Sequence, residues 1–165
     1  MISKVMAFKD FLKIFPEIDL PVVLGEETHH IFSRTNDPLP IQAVQQYILP
    51  HESELADEFE EFIACFQLPA GEKYRAVVYW KAALLSYEYH LMTFDPNGNF
   101  LDKQVIAGTF ADRDTLTVSV ATITETGDII MASGQKKETQ KEYQATDSTA
   151  QKLSIQPDGR IATIM

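Results

Sequence analysis

Four histidines hold most of the chemistry this chain could perform. His90 lies in the run Ser86-Tyr87-Glu88-Tyr89-His90-Leu91. Alternate residues of a strand share a face, which groups His90 with Ser86 and Glu88 and away from Tyr87, Tyr89 and Leu91. An imidazole beside a carboxylate can respond to pH or move a proton. His29 and His30 follow Glu26 and Glu27, and a loop could turn one imidazole and one carboxylate toward a metal. Adjacent side chains diverge, however, and no second cluster at ligand spacing accompanies them. His51-Glu52 lacks the second histidine of an H-E-x-x-H zinc motif and is expected to cap a helix or lie on the surface.

The oxygen ligands follow the same pattern. Asp95, Asn97, Asn99 and Asp102 alternate as in a calcium loop, but Gly98 is fourth where an EF-hand needs its glycine sixth. A hairpin turn accounts for the same residues. Glu52, Glu54, Asp57, Glu58, Glu60 and Glu61 place six acids in ten residues. They read as a solvated helix face or, functionally, as a docking surface centred on Glu54, Asp57 and Glu58. Trp80, Tyr79, Tyr87 and Tyr89 could form an aromatic patch for a partner, or pack as core. There is no G-x-S-x-G, no S-x-x-K and no phosphate-cradling glycine loop. No catalytic residue, metal or cofactor is therefore assigned.

Composition narrows the class. The chain has 165 residues, 45% of them apolar, and a net charge of −10, which suits one domain spanning 1–165. Residues 1–73 carry 5 basic and 13 acidic side chains, residues 74–165 carry 9 and 11, so the acidity lies N-terminally. Such a field repels nucleic acid and anionic lipid and favours a basic protein. The one cysteine, Cys65, excludes a disulfide within the chain and reads as a buried thiol. No run reaches the length of a membrane-spanning helix, and the N-terminal residues lack a leader pattern. If Met1 is the natural start, a cytoplasmic protein is expected.

The elements that position these residues divide near residue 60. Phe8, Phe11, Leu12 and Phe15 share one helical face, and Pro16 ends that helix. Residues 17–24 read as an edge or extended segment because of Pro21. Residues 26–40 read as loop. Pro40 then opens a helix whose buried face is Ile41, Val44 and Ile48, and Ser53 caps a further turn. Phe59–Phe66 fits helix or strand, and a switch to strand near Glu61 is favoured because Pro69-Ala70-Gly71-Glu72 separates two runs of hairpin length. From Tyr74 to Phe110 the density of Val, Tyr, Trp and Phe predicts strands. Three turns recur, at Asp95–Phe100, Glu125–Ile129 and Gln156–Ile161, each with a glycine where a tight hairpin needs positive φ. Residues 115–124 alternate Leu116, Val118, Val120 and Thr122 against Thr117, Ser119, Ala121 and Ile123, the pattern of a half-buried strand. Residues 135–152 are polar and read as a connection or edge, and Leu153, Ile155, Ile161 and Ile164 as a last hairpin.

The layout resembles small, mostly uncharacterised bacterial proteins with a helical N-terminal segment and a β-meander. The residues concerned are Leu20-Pro21, the aromatic run Tyr74–Trp80, Thr93-Phe94-Asp95 through Gly98 to Asp102, and Asp158-Gly159-Arg160-Ile161. The resemblance implies no activity. The expected fold is α+β, with two or three short helices in 1–60 packed on an antiparallel meander of six to eight strands in 61–165. The expected function is a non-enzymatic protein-binding module, inhibitor-like or immunity-like, with an acidic surface for a basic partner. Its rivals are a small hydrolase-type enzyme assembled around His90 or His29, and a structural or accessory subunit that self-associates. A deep pocket holding His90 beside a carboxylate separates the enzyme from a flat docking face.

Overall fold

The computed structural model describes residues 5–26, 28–52, 60–69, 71–112, 114–137 and 149–164. Three short helices pack on one antiparallel sheet of nine strands, an α+β arrangement. Helix α1 is Phe8–Lys13, α2 is Thr28–Thr35, and α3 is Ile41–Ala43, which runs on through a wide π turn, Val44–Ile48, into a 3₁₀ turn, Leu49–His51. The strands are β1 (Val22–Leu24), β2 (Glu61–Gln67), β3 (Arg75–Ala82), β4 (Ser86–Phe94), β5 (Phe100–Asp112), β6 (Thr115–Ile123), β7 (Ile129–Lys137), β8 (Thr149–Ile155) and β9 (Ile161–Thr163). From β2 to β9 each strand pairs with the next, and β1 joins the later part of β6. Among the described residues, no helix is long and apolar enough to cross a membrane.

The three recurrent turns share one geometry. Gly98, Gly127 and Gly159 have φ of 94°, 89° and 88°. In each, the glycine N–H bonds back three residues, and the residue that accepts that bond donates its own N–H four residues ahead. This is the positive φ the sequence asks of those glycines. The sheet also curls. Thr93 on β4 donates its hydroxyl to the Gly159 carbonyl at 2.6 Å, and Asp102 on β5 accepts from the Ile161 N–H at 2.8 Å. These bonds bring the last hairpin against strands far from it in the sheet order.

Two apolar clusters hold the strands. One gathers Trp80, Tyr89 and Leu91 with Ala121, Ile123, Ile129, Met131 and Leu153, closed by Leu24 and Phe32. The other places Phe11, Phe15, Tyr47 and Ile48 over Phe62, Val77, Met92 and Phe94. Phe11 stacks on Tyr47 at 4.3 Å and meets Phe94 edge-on at 5.7 Å, the offset and T-shaped contacts aromatic rings prefer. Gln67 donates its side-chain amide to the Leu12 and Phe15 carbonyls, tying the end of α1 to β2.

Several expectations are corrected. Residues 26–40 are not all loop, because α2 forms there. Its Phe32 enters the first cluster against Phe66 and Tyr89, and its following Asn36 donates to the Ala64 and Cys65 carbonyls where β2 bulges. Tertiary packing overrides a weak local preference. Of the face expected after Pro40, Ile48 is buried and Val44 packs partly buried on the second cluster, but Ile41 is 74% exposed and Ala43 and Tyr47 are buried as well. The π turn widens the helical repeat, so the 3.6-residue phase counted from Ile41 no longer holds. Other expectations hold: Glu61–Gln67 is strand, and Cys65 is a buried free thiol whose pKa burial raises. Strand β6 is half-buried as its alternation predicts, with Ala121 and Ile123 inside and Val120 facing outward. Strands β7 and β8 extend into the polar stretch 135–152 from both sides. The turn expected after Ser53 lies outside the described residues.

Candidate functional site

On one face of β3 and β4 the side chains run in cross-strand rows: Val77 opposite Met92, Tyr79 opposite His90, Lys81 opposite Glu88. The first row lies under α1 and the π turn, in the second apolar cluster. Tyr79 also belongs to that cluster, while His90, Lys81 and Glu88 line a cleft of about 600 Å³, which continues over Lys103, Val105 and Gly108 of β5 to Thr117 and Ser119 of β6. Gly108 is needed at its centre, since a Cβ there would collide with the Tyr87 carbonyl oxygen.

Glu52, which directly follows the 3₁₀ turn, is the hub of the cleft. Its side chain is 5% exposed. It accepts from the Tyr79 hydroxyl at 2.9 Å and pairs with Lys81 at 3.2 Å and Lys103 at 3.4 Å. Lys81 also reaches Glu60 at 3.5 Å. Burial works to raise the Glu52 carboxyl, but His90, Lys103, the Tyr79 hydroxyl and Lys81 together hold it below the ordinary carboxylate range. Burial opposes the charge on Lys81, while Glu52, Glu60 and Glu88 keep it above its ordinary value. Burial and then Glu52 push the Tyr79 hydroxyl well up, so it remains a donor.

His90 differs from its neighbours. Its ring stacks on Tyr79 at 4.8 Å and its side chain is 4% exposed. Neither ring nitrogen has a hydrogen-bond partner. Glu88 Oε1 stands 3.9 Å from Nε2, an ion-pair separation too long for a hydrogen bond. His90 nonetheless holds the Glu88 carboxyl below its ordinary range, against the effect of burial. A buried imidazole with both nitrogens unmet is costly unless something else meets them.

The sequence-predicted site residues separate in space. His90 and Glu88 share a face, as the alternation requires, with Ser86 at the same cleft. Trp80, Tyr87 and Tyr89 lie on the opposite face. There His29 stacks on Trp80 at 5.0 Å and on Tyr87 at 5.8 Å. Trp80 Nε1 and the Tyr89 hydroxyl are buried without hydrogen-bond partners beside a recess of about 10 Å³. Tyr79 leaves the aromatic set and joins His90. Glu54, Asp57 and Glu58 lie outside the described residues, although Glu52 and Glu60 on either side of them both line the cleft. His51 stacks on Phe100 at 3.8 Å, and Glu52 is buried rather than on the surface. The correction has a physical cause: two lysines and a tyrosine converge on Glu52 and offset its desolvation.

The oxygen-rich turn at Asp95 uses its own ligands. Asp95 accepts from the backbone N–H groups of Asn97 and Asn99 and from the Asn99 amide, as a hairpin turn would have it. Among the described residues, no group of three His, Cys, Asp or Glu side chains could hold a metal ion. The roles of Lys81 and Lys103 were missed in the sequence. The available signal for Lys81 was its place two residues beyond Tyr79 and four beyond Val77, at an inward position of an otherwise apolar strand.

Comparison of the chain with protein-family models, with curated proteins and with solved structures finds no match. What the structure shares with the expected layout is the order of the elements, a few helices and an antiparallel meander.

Proposed function

We propose that this protein binds a small polar molecule in the cleft over β3, β4 and β5, and that His90 exchanges a proton with it as the acid–base residue of a hydrolase-type site. The observation behind this reading is the buried His90 ring, with neither nitrogen hydrogen-bonded and Nε2 3.9 Å from Glu88, beside a cleft of about 600 Å³. That volume lies within the usual range of small-molecule sites. The surroundings suit the role. Glu88 can orient and stabilise an imidazolium, and Tyr79 fixes the ring plane by stacking. Lys103 and Lys81 pair with Glu52, so the carboxylate beside His90 is neutralised within the chain. The docking reading centred on Glu54, Asp57 and Glu58 concerns residues outside those described, and no described contact favours it.

The test is a ligand-observed NMR screen of small polar molecules, run with the wild type and with His90→Phe across a pH series. Phenylalanine keeps a ring against Tyr79 and removes both nitrogens. Binding that is lost in His90→Phe and follows a single titration in the wild type is the expected result. Equal binding by both proteins would remove His90 from the site.

A further inference from the structure

The proposed cleft has a charge arrangement that selects among ligands, and this inference rests on that proposed site. Its cations are already engaged. Lys81 is shared by Glu52 and Glu60, and Lys103 is held by Glu52. Its third carboxylate, Glu88, is matched by His90. Among the described residues, two lysines stand against three carboxylates, a balance of −1 with neutral His90 and of zero with protonated His90. A phosphate or carboxylate ligand would have to draw a lysine away from Glu52 while facing the other acids. A polycation would compete with lysines already in place. Both exchanges cost desolvation without creating a new unopposed pair.

The remaining wall has a different chemistry. Ser86, Thr117 and Ser119 bring hydroxyls to this face, groups that both donate and accept, the last of them bonded to the Ser133 hydroxyl at 2.7 Å. Phe110, 51% exposed, stands at the rim as an apolar surface. His90 adds at least one donor, and Glu88, the more exposed of the two, adds an acceptor. Mixed donors and acceptors, a small net charge and one exposed aromatic ring together match a molecule whose own groups donate and accept while carrying no charge. We infer that the ligand of this cleft is a neutral, hydroxyl-rich molecule of saccharide type, from one to two rings in size.

Saturation-transfer NMR with glucose, maltose, glucose 6-phosphate and spermidine tests this, with wild type and His90→Phe compared and with His90→Gln as a second variant should the first not fold. The expected result is transfer to glucose or maltose that disappears in the variant, with glucose 6-phosphate at least about tenfold weaker. His90-dependent binding of glucose 6-phosphate or spermidine in preference to the neutral sugars would overturn the inference and leave the cleft proposal standing. Absence of binding by all four probes at millimolar concentration would count against both.

Discussion

Two ends of one sheet face are built differently. At Val77 and Met92 the face is covered by Phe11, Phe15 and Tyr47, and every side chain meets apolar neighbours. Two to four residues further along the same strands, Lys81, Glu88 and His90 occupy the equivalent positions in an open cleft. The backbone pairing is continuous across both ends of β3 and β4. Where α1 and the π turn cover the strands, the sequence supplies aromatics, and where they stop it supplies charge. The covered end is satisfied within the chain. The open end is satisfied in its ion pairs but not at His90.

The largest effect should come from the covered end. Phe11→Ala removes a fully buried ring that contacts Phe15, Tyr47 and Phe94. It should cost about 3–5 kcal/mol of stability in denaturant unfolding. A cost near that of a surface substitution would mean that α1 does not pack on the sheet as described.

Glu52→Gln should follow at the open end. It leaves Lys81 and Lys103 without their shared carboxylate. The expected loss is about 1–3 kcal/mol, below the figure for a fully enclosed pair because the cleft mouth admits water. The pH dependence sharpens this. Glu52 and Glu88 are held below their ordinary value of 4.5 in the folded protein. Their stabilisation is therefore complete above that pH and is lost as pH falls through the folded values. Lys81, raised above 10.5, contributes fully below that pH and loses its contribution as pH rises through its folded value. Acid unfolding profiles of Glu52→Gln should be flatter than those of the wild type below pH 4.5.

The turns give the smallest contrast. Gly127→Ala meets nothing within 4 Å and carries only the cost of φ near 89°, about 1–2 kcal/mol. Gly98→Ala has the same backbone cost and also presses on the Phe8 ring, whose Cγ would lie 2.8 Å from the new Cβ. It should therefore unfold at lower denaturant than Gly127→Ala. Equal midpoints would show that Phe8 yields freely, and that α1 is only loosely held against the first hairpin.

This contrast also explains what the sequence disclosed. The meander was legible because turn glycines and β-branched or aromatic runs are local signals, and the three turns carry the same bonds. His90 with Glu88 followed from strand alternation alone. Helix α2 was hidden because Thr28–Thr35 has only Ile31 and Phe32 as apolar residues and is held by contacts distant in sequence: Phe32 in the first cluster, His29 stacked on Trp80 and Tyr87, and Asn36 reaching β2. Glu52 was read as a surface acid because its partners, Lys81 and Lys103, are 29 and 51 positions away. Which of the six clustered acids would meet a lysine depends on how the 3₁₀ turn ends, and no local pattern encodes that.

The central claim is that the open end of this face keeps His90 unsatisfied for a ligand, at some cost to stability. The melting temperature of His90→Phe tests it most directly. Removing two unpartnered buried nitrogens while keeping the ring on Tyr79 should stabilise the protein by about 1 kcal/mol or more, a rise of about 2–4 °C, together with loss of ligand binding. A fall in melting temperature would contradict the account, because it would mean that the contact with Glu88 at 3.9 Å outweighs the cost of two nitrogens without hydrogen bonds, and that His90 serves the fold.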